Sequence, residues 1–152
     1  MANNEIRLSR QVNATPASVW AVLTNLDGAQ DTLSGVTKVE RVSGPDYAVG
    51  TRWRETRKMF GKEATEEMWV AEVDPERRTV VKAHSSGTDY TTTFDLAPTA
   101  DGTELTMTFT GETGSSIVHK VMMAVFGRLA LKATTKMIAQ DLADIAARAE
   151  QR

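Results

Sequence analysis

The sequence predicts an α+β fold in which one curved antiparallel sheet of seven strands is covered by a long C-terminal helix. Two observations point there. Turn signals recur at strand-like intervals through the middle of the chain, and the residues between them alternate with period two. The chain then closes on IVHKVMMAVFGRLALKATTKMIAQDLADI, from Ile117 to Ile145, whose apolar residues follow helical spacing. An antiparallel sheet has one face to bury, and this last stretch is the only element long enough to cover it.

The elements follow in order. Ile6, Leu8 and Val12 sit at even spacing in EIRLSRQV, interrupted by Arg10, and predict strand one. Thr15-Pro16 supplies a helix N-cap and a proline at the first helical position. Val19, Leu23 and Leu26, with Trp20 beside them, continue a short helix to about Asp27-Gly28, and AQDTLSG allows a second brief helical turn before Gly35. Six strands then read as a meander: VTKVERV, TRWRETRKM after Gly50, EATEEMWVAEV after Gly61-Lys62, TVVKAHS after Asp74-Pro75, DYTTTFDLA after Gly87, and TELTMTFTG after Asp101-Gly102. No linker or repeat divides the chain, so residues 1–152 are expected to form a single domain.

At about 100° per residue, Ile117, Val121, Ala124, Leu131, Thr135, Ile138, Leu142 and Ile145 share the helix face assigned to the sheet. Val118, Met122, Val125 and Leu129, with Phe126 alongside, form a second apolar stripe that ends where Lys132, Lys136, Gln140 and Asp144 take over. Three roles suit that stripe: a lid over a cavity, a dimer face, or a surface in transient contact with a membrane. Gly127 falls where the pattern changes and marks a place for a kink or break. Met122 and Met123 also serve as plain core filling.

The order of elements and several residues together resemble the START-like superfamily, specifically its polyketide cyclase/dehydrase branch. The resemblance rests on ATPASVWAVLTNLDGAQDTL with its Val19-Trp20 pair, Gly50-Thr51, Val70 to Pro75 followed by Arg77 and Arg78, Asp101-Gly102-Thr103, and DLADIAARAE. It covers nearly the whole chain. It implies a helix-grip fold with an apolar cavity between sheet and helix, in a family whose members bind lipids, sterols, polyketides or plant hormones and in a minority of cases cyclise or dehydrate polyketides.

Composition removes other classes of function. The 18 Lys plus Arg and 20 Asp plus Glu leave a net charge of −2, without the basic excess that nucleic-acid binding demands. The absence of cysteine excludes disulfides and thiolate chemistry, and two histidines at no ligand-like spacing argue against a bound metal. No cofactor motif of the GxGxxG or Walker type occurs, and neither HExxH nor GxSxG is found. No signal peptide or run of roughly 18 apolar residues is visible, so a cytoplasmic protein, monomeric or homodimeric, is expected.

The candidate site lies on the inner sheet face. On strand three Arg52, Arg54, Thr56 and Lys58 alternate with Trp53, Glu55, Arg57 and Met59, and the second set is expected inside. Charge at Glu55 and Arg57 then requires pairing: the two form either a polar anchor for a ligand or a structural ion pair at the open end of the sheet. Tyr90, Thr92, Phe94 and Leu96 share a face of strand six, as do Leu105, Met107 and Phe109 of strand seven. On strand four Thr65, Glu67 and Trp69 alternate with Glu66, Met68 and Val70, and bringing both Val70 and Val73 inward needs a bulge, which leaves the register open. His84 shares a face with Lys82 and is expected to be exposed, whereas His119 starts the lid segment. The expected ligand lining is Trp53, Glu55, Arg57, Trp69, Tyr90, Thr92, Phe94, Met107 and Phe109, joined by Met122, Val125, Phe126 and Leu129. Glu55, Arg57, Tyr90 and His119 are the candidates for acid/base catalysis. The leading expectation is a binding module for a small hydrophobic molecule. The alternatives are a metal-free cyclase or dehydratase and a protein-interaction domain that uses the lid face.

Overall fold

The computed structural model describes residues 4–59, 61–85, 87–113 and 117–151, with backbone alone at 4, 59, 113 and 117–130. Its elements are β1 (Asn4–Val12), α1 (Pro16–Leu23), a 3-10 turn (Leu26–Gly28), α2 (Ala29–Thr32), β2 (Val36–Ser43), β3 (Arg52–Met59), β4 (Lys62–Asp74), β5 (Arg78–Ser85), β6 (Thr88–Thr99), β7 (Gly102–Thr113) and α3 (Ile117–Glu150). The strands form one antiparallel sheet in the order β1-β7-β6-β5-β4-β3-β2. β2 to β7 are therefore a meander, and β1 adds beside β7.

Local chemistry explains the boundaries. Thr15 caps α1, its hydroxyl accepting from the Ser18 backbone N–H at 3.2 Å, and Pro16 stands at the first helical position. The helix stops at Leu23, earlier than the Asp27-Gly28 end expected from spacing. There the Thr24 hydroxyl donates back to the Trp20 carbonyl at 2.9 Å, and Asn25 Oδ1 accepts from Gly28 N–H at 3.1 Å. These side chains compete with the helical ladder and turn the chain into the 3-10 segment that carries Leu26.

The bulge that strand four needed is present. The β4–β5 register shifts between Val70 and Glu72, so Val70 is buried while Val73 still packs inward. Gly102, the first residue of β7, has φ 153°, and a Cβ there would overlap the Val12 carbonyl oxygen, so the strand can start against the end of β1 only with glycine.

The core divides into two clusters. Ile138, Leu142, Ile145, Ala146 and Ala149 of α3 pack with Ile6, Val12, Val19, Leu96, Leu105 and Met107. Each large aliphatic side chain buried this way contributes about 1.5–3 kcal/mol relative to exposure. Leu26, Trp53, Val70 and Val81 form the second cluster. α3 runs as one helix through Gly127, without the break that was one expectation there. Leu131 is 52% exposed and does not face the sheet as expected: it lies about two turns ahead of Ile138, where the closely packed part of the helix begins. The side chains of Ile117, Val121 and Ala124 lie outside the described residues.

Gly102→Ala is expected to lower stability by about 1–3 kcal/mol, the usual cost of overpacking. Urea denaturation reads this as a lower midpoint with an unchanged slope.

Candidate functional site

A cavity occupies the space between the two core clusters. It has two chambers, of about 100 and about 190 Å³. The first lies under the short helices, lined by Leu23, Leu26, Leu33, Tyr47, Trp53 and Val81 among others. The second lies along β4, β6 and β7 against α3, lined by Ala64, Glu66, Tyr90, Phe109, Thr134 and Met137. Glu55, Arg57, Met68, Thr92, Met107 and Asp141 border both chambers.

A buried ion cluster stands at that shared waist. Alternation along β3 points Trp53, Glu55 and Arg57 inward, and Trp53 is only 4% exposed. Arg57 Nε donates to Glu55 Oε2 at 2.8 Å, while its two terminal nitrogens donate to Asp141 Oδ1 and Oδ2 at 3.1 and 2.9 Å. The fork on Asp141 ties β3 to α3. Burial opposes the charge on Arg57, but Asp141 and Glu55 outweigh it and hold its pKa above the ordinary arginine value. Asp141 is pushed upward, because burial outweighs the lowering effect of Arg57 and is reinforced by Glu55 and Asp144. The pair stays ionic near neutrality, since a guanidinium does not give up its proton and the two-pronged geometry is that of a carboxylate.

Glu66 adds a further carboxyl group. It is the direct cross-strand partner of Glu55 and lines the second chamber. Burial raises its pKa and Glu55 raises it further, against the lowering by Arg57 and by a hydrogen bond to Ser85. A folded-state pKa above the unfolded one makes a contribution to stability that is present in full below pH 4.5, the ordinary value, and is lost as pH rises through the raised value.

The structure brings most of the expected lining residues together. Trp53, Glu55, Arg57, Thr92, Phe94 and Met107 line the first chamber, and Tyr90 and Phe109 join the second, where their rings stack with centroids 5.5 Å apart. Trp69 is a correction. Arg52 pairs with Trp69 and Trp53 with Met68, so Met68 faces the cavity and Trp69 the convex surface, under the Arg52 guanidinium at 4.8 Å. Met122, Val125, Phe126, Leu129 and His119 lie outside the residues whose side chains are described, and so does the choice among lid, dimer face and membrane face. His84 is exposed, as expected, and pairs with Asp89.

Sequence reasoning missed Asp141, Glu66, Met68 and Tyr47. Asp141 had a signal: it stands three residues after Ile138 and four before Ile145, an acid inside the apolar stripe. Glu66 shares a face with Met68, and the Gly61 turn sets it opposite Glu55. Tyr47 reaches from the β2–β3 loop to Thr79 Oγ1 at 2.7 Å, a contact with no local sequence signature.

A curved antiparallel sheet closed by a C-terminal helix, with a lined cavity between them, defines a helix-grip fold. Residues 4–150 match the family of polyketide cyclase / dehydrase and lipid transport proteins, and the chain belongs to it. Among solved structures, TTHA0849 from Thermus thermophilus is 23% identical with a TM-score of 0.80, the match covering 95% of this chain and 96% of that one. The Zhui aromatase/cyclase from Streptomyces sp. R1128 is 17% identical with a TM-score of 0.76, over 99% and 95% of the two chains. The di-domain ARO/CYC StfQ from the steffimycin biosynthetic pathway is 14% identical with a TM-score of 0.82, the match spanning 99% of this chain and 52% of that one. At these identities the likeness is one of fold. No curated protein matches the sequence.

Arg57→Met leaves Glu55 and Asp141 buried without their counter-charge, and a loss of about 3–5 kcal/mol is expected in chemical denaturation. Glu66→Gln is expected to match the parent protein in stability at about pH 4, to exceed it increasingly as pH rises from 4.5 through the raised pKa of Glu66, and to keep a constant advantage above it, because the mutant lacks the carboxyl whose ionisation the fold opposes. Denaturation midpoints across that range check the sign.

Proposed function

We propose that the protein binds a small, mainly apolar molecule with a polar end in the cavity between sheet and α3. The observation that carries this reading is the cavity itself: apolar and aromatic walls converge on a few buried polar groups, the common form of a small-molecule site. Chambers of about 100 and about 190 Å³ favour a compact ring system over a long acyl chain. The stacked Tyr90 and Phe109 rings offer a flat wall for such a ring. Membership of a family that covers both polyketide chemistry and lipid transport agrees with a hydrophobic ligand.

A second reading, an enzyme of cyclase or dehydratase type, draws on Glu66. Its raised pKa suits a group that exchanges a proton with a bound carbonyl, and Tyr90 lines the same chamber. The solved relatives described as aromatase/cyclases support that chemistry as a possibility for the fold.

Calorimetric titration with a hydroxylated two-ring aromatic compound tests the binding reading. Saturable binding is expected, with at least about ten-fold loss in Met68→Trp, which places bulk where both chambers meet. Absence of saturable binding by the parent protein, or undiminished binding by a folded Met68→Trp, contradicts it.

A further inference from the structure

We infer that Glu66 sets the selectivity of the second chamber, which favours ligands whose polar group donates hydrogen bonds or carries positive charge, a primary amine above all, over carboxylates. The inference rests on the binding reading above and names the class of ligand it takes.

The first argument is the balance of charge. Among the described residues, the charged groups lining this chamber are Glu55, Glu66, Asp141 and Arg57. Arg57 is the group that would receive an anionic ligand, but its Nε and both terminal nitrogens already donate to Glu55 and Asp141. Three of its five N–H donors are thereby engaged, and a carboxylate that took the remaining two would join Glu55, Glu66 and Asp141 around a single guanidinium, a balance of charge that opposes an anion.

The second argument is the position of Glu66. It stands directly across the strands from Glu55, and like charges in that arrangement repel. Arg57 reaches Glu55 and Asp141, so Glu66 is left as the surplus negative group, with a Ser85 hydrogen bond in support. A carboxylate has about four acceptor positions, and one hydroxyl donor leaves acceptor capacity for an ammonium or hydroxyl group. Glu66 lines a chamber walled by Met68, Tyr90, Phe109 and Met137, which makes this capacity a site. The Tyr90–Phe109 wall receives an aromatic ring, and its electron-rich faces favour a cation over an anion.

The groups facing Glu66 also fix the direction of the pH response. Glu55 and Arg57 approach from β3, Ser85 from β5, Asp141 from α3, and Tyr90 from β6 in the same chamber. Burial and, after it, Glu55 favour the protonated form of Glu66, whereas an ammonium ligand favours its carboxylate. Affinity for an amine therefore rises as pH rises through the titration of Glu66, and affinity for a neutral alcohol does not follow it.

The experiment compares three probes that share one ring system: 2-naphthylmethylamine, 2-naphthylmethanol and 2-naphthoate, titrated into the intact protein by calorimetry. The amine and the alcohol are expected to bind at least about ten-fold more tightly than the naphthoate at neutral pH. In Glu66→Gln the amine should lose about five-fold or more while the alcohol stays within about two-fold. This substitution keeps the shape of the side chain and removes a repelled charge, and a thermal melt confirms that the variant is folded. Naphthoate binding as tight as the amine, or an unchanged amine preference in Glu66→Gln, overturns the inference and leaves the cavity reading intact. Failure of all three probes to bind overturns both. In the parent protein, an amine affinity that does not rise with pH also counts against the assignment of Glu66.

Discussion

The fork of Arg57 on Asp141 fixes how the helix meets the sheet. A guanidinium on the concave face of β3 is tolerable only with carboxylates close at hand, and the sequence supplies one from its own strand, Glu55, and one from α3. The second partner sets the position of the helix, because both oxygens of Asp141 must reach the same planar group. Gly35 leaves room for this arrangement: a Cβ there would stand 3.2 Å from the nearer terminal nitrogen of Arg57. Two other acids of α3 hold its flanks. Asp144 accepts from the backbone N–H and hydroxyl of Ser34 at 2.9 and 2.8 Å, and Glu150 accepts from the Asn13 N–H at 2.8 Å.

The cavity follows from that placement. On the β1 and β7 side the helix packs directly, through Ile138, Leu142 and Ile145. On the β3 side it is met by a long arginine, and Trp53 and Leu26 make a separate cluster beneath the short helices. Two cores joined through an ion cluster leave a space that neither fills. Its walls are apolar and its waist is charged.

Much of this was legible along the chain, because strands and caps are local. The period of two placed Trp53, Glu55 and Arg57 on one face, the Thr15-Pro16 pair marked a helix start, and Val70 with Val73 demanded a bulge that the sheet contains. The end of α1 was less legible, because Thr24 and Asn25 redirect the backbone through their own hydrogen bonds while the apolar spacing runs on past them. Trp69 was misplaced because the register of strand four was open in the sequence, and pairing with Arg52 decided the outer face. The sequence left two roles open for Glu55 and Arg57, and the missing piece was Asp141. An acid within an apolar stripe signals a buried partner, but nothing local says that the partner lies on β3, 84 residues away.

The central claim is that Arg57 and Asp141 act as one unit joining helix to sheet. A double-mutant cycle of Arg57→Met, Asp141→Asn and the pair, followed by chemical denaturation, measures this most directly. The account predicts a coupling energy of about 1–3 kcal/mol, with the double variant less damaged than the sum of the single ones. Additivity within about 0.5 kcal/mol would contradict it, and would mean that the helix is held over the sheet by its apolar contacts alone.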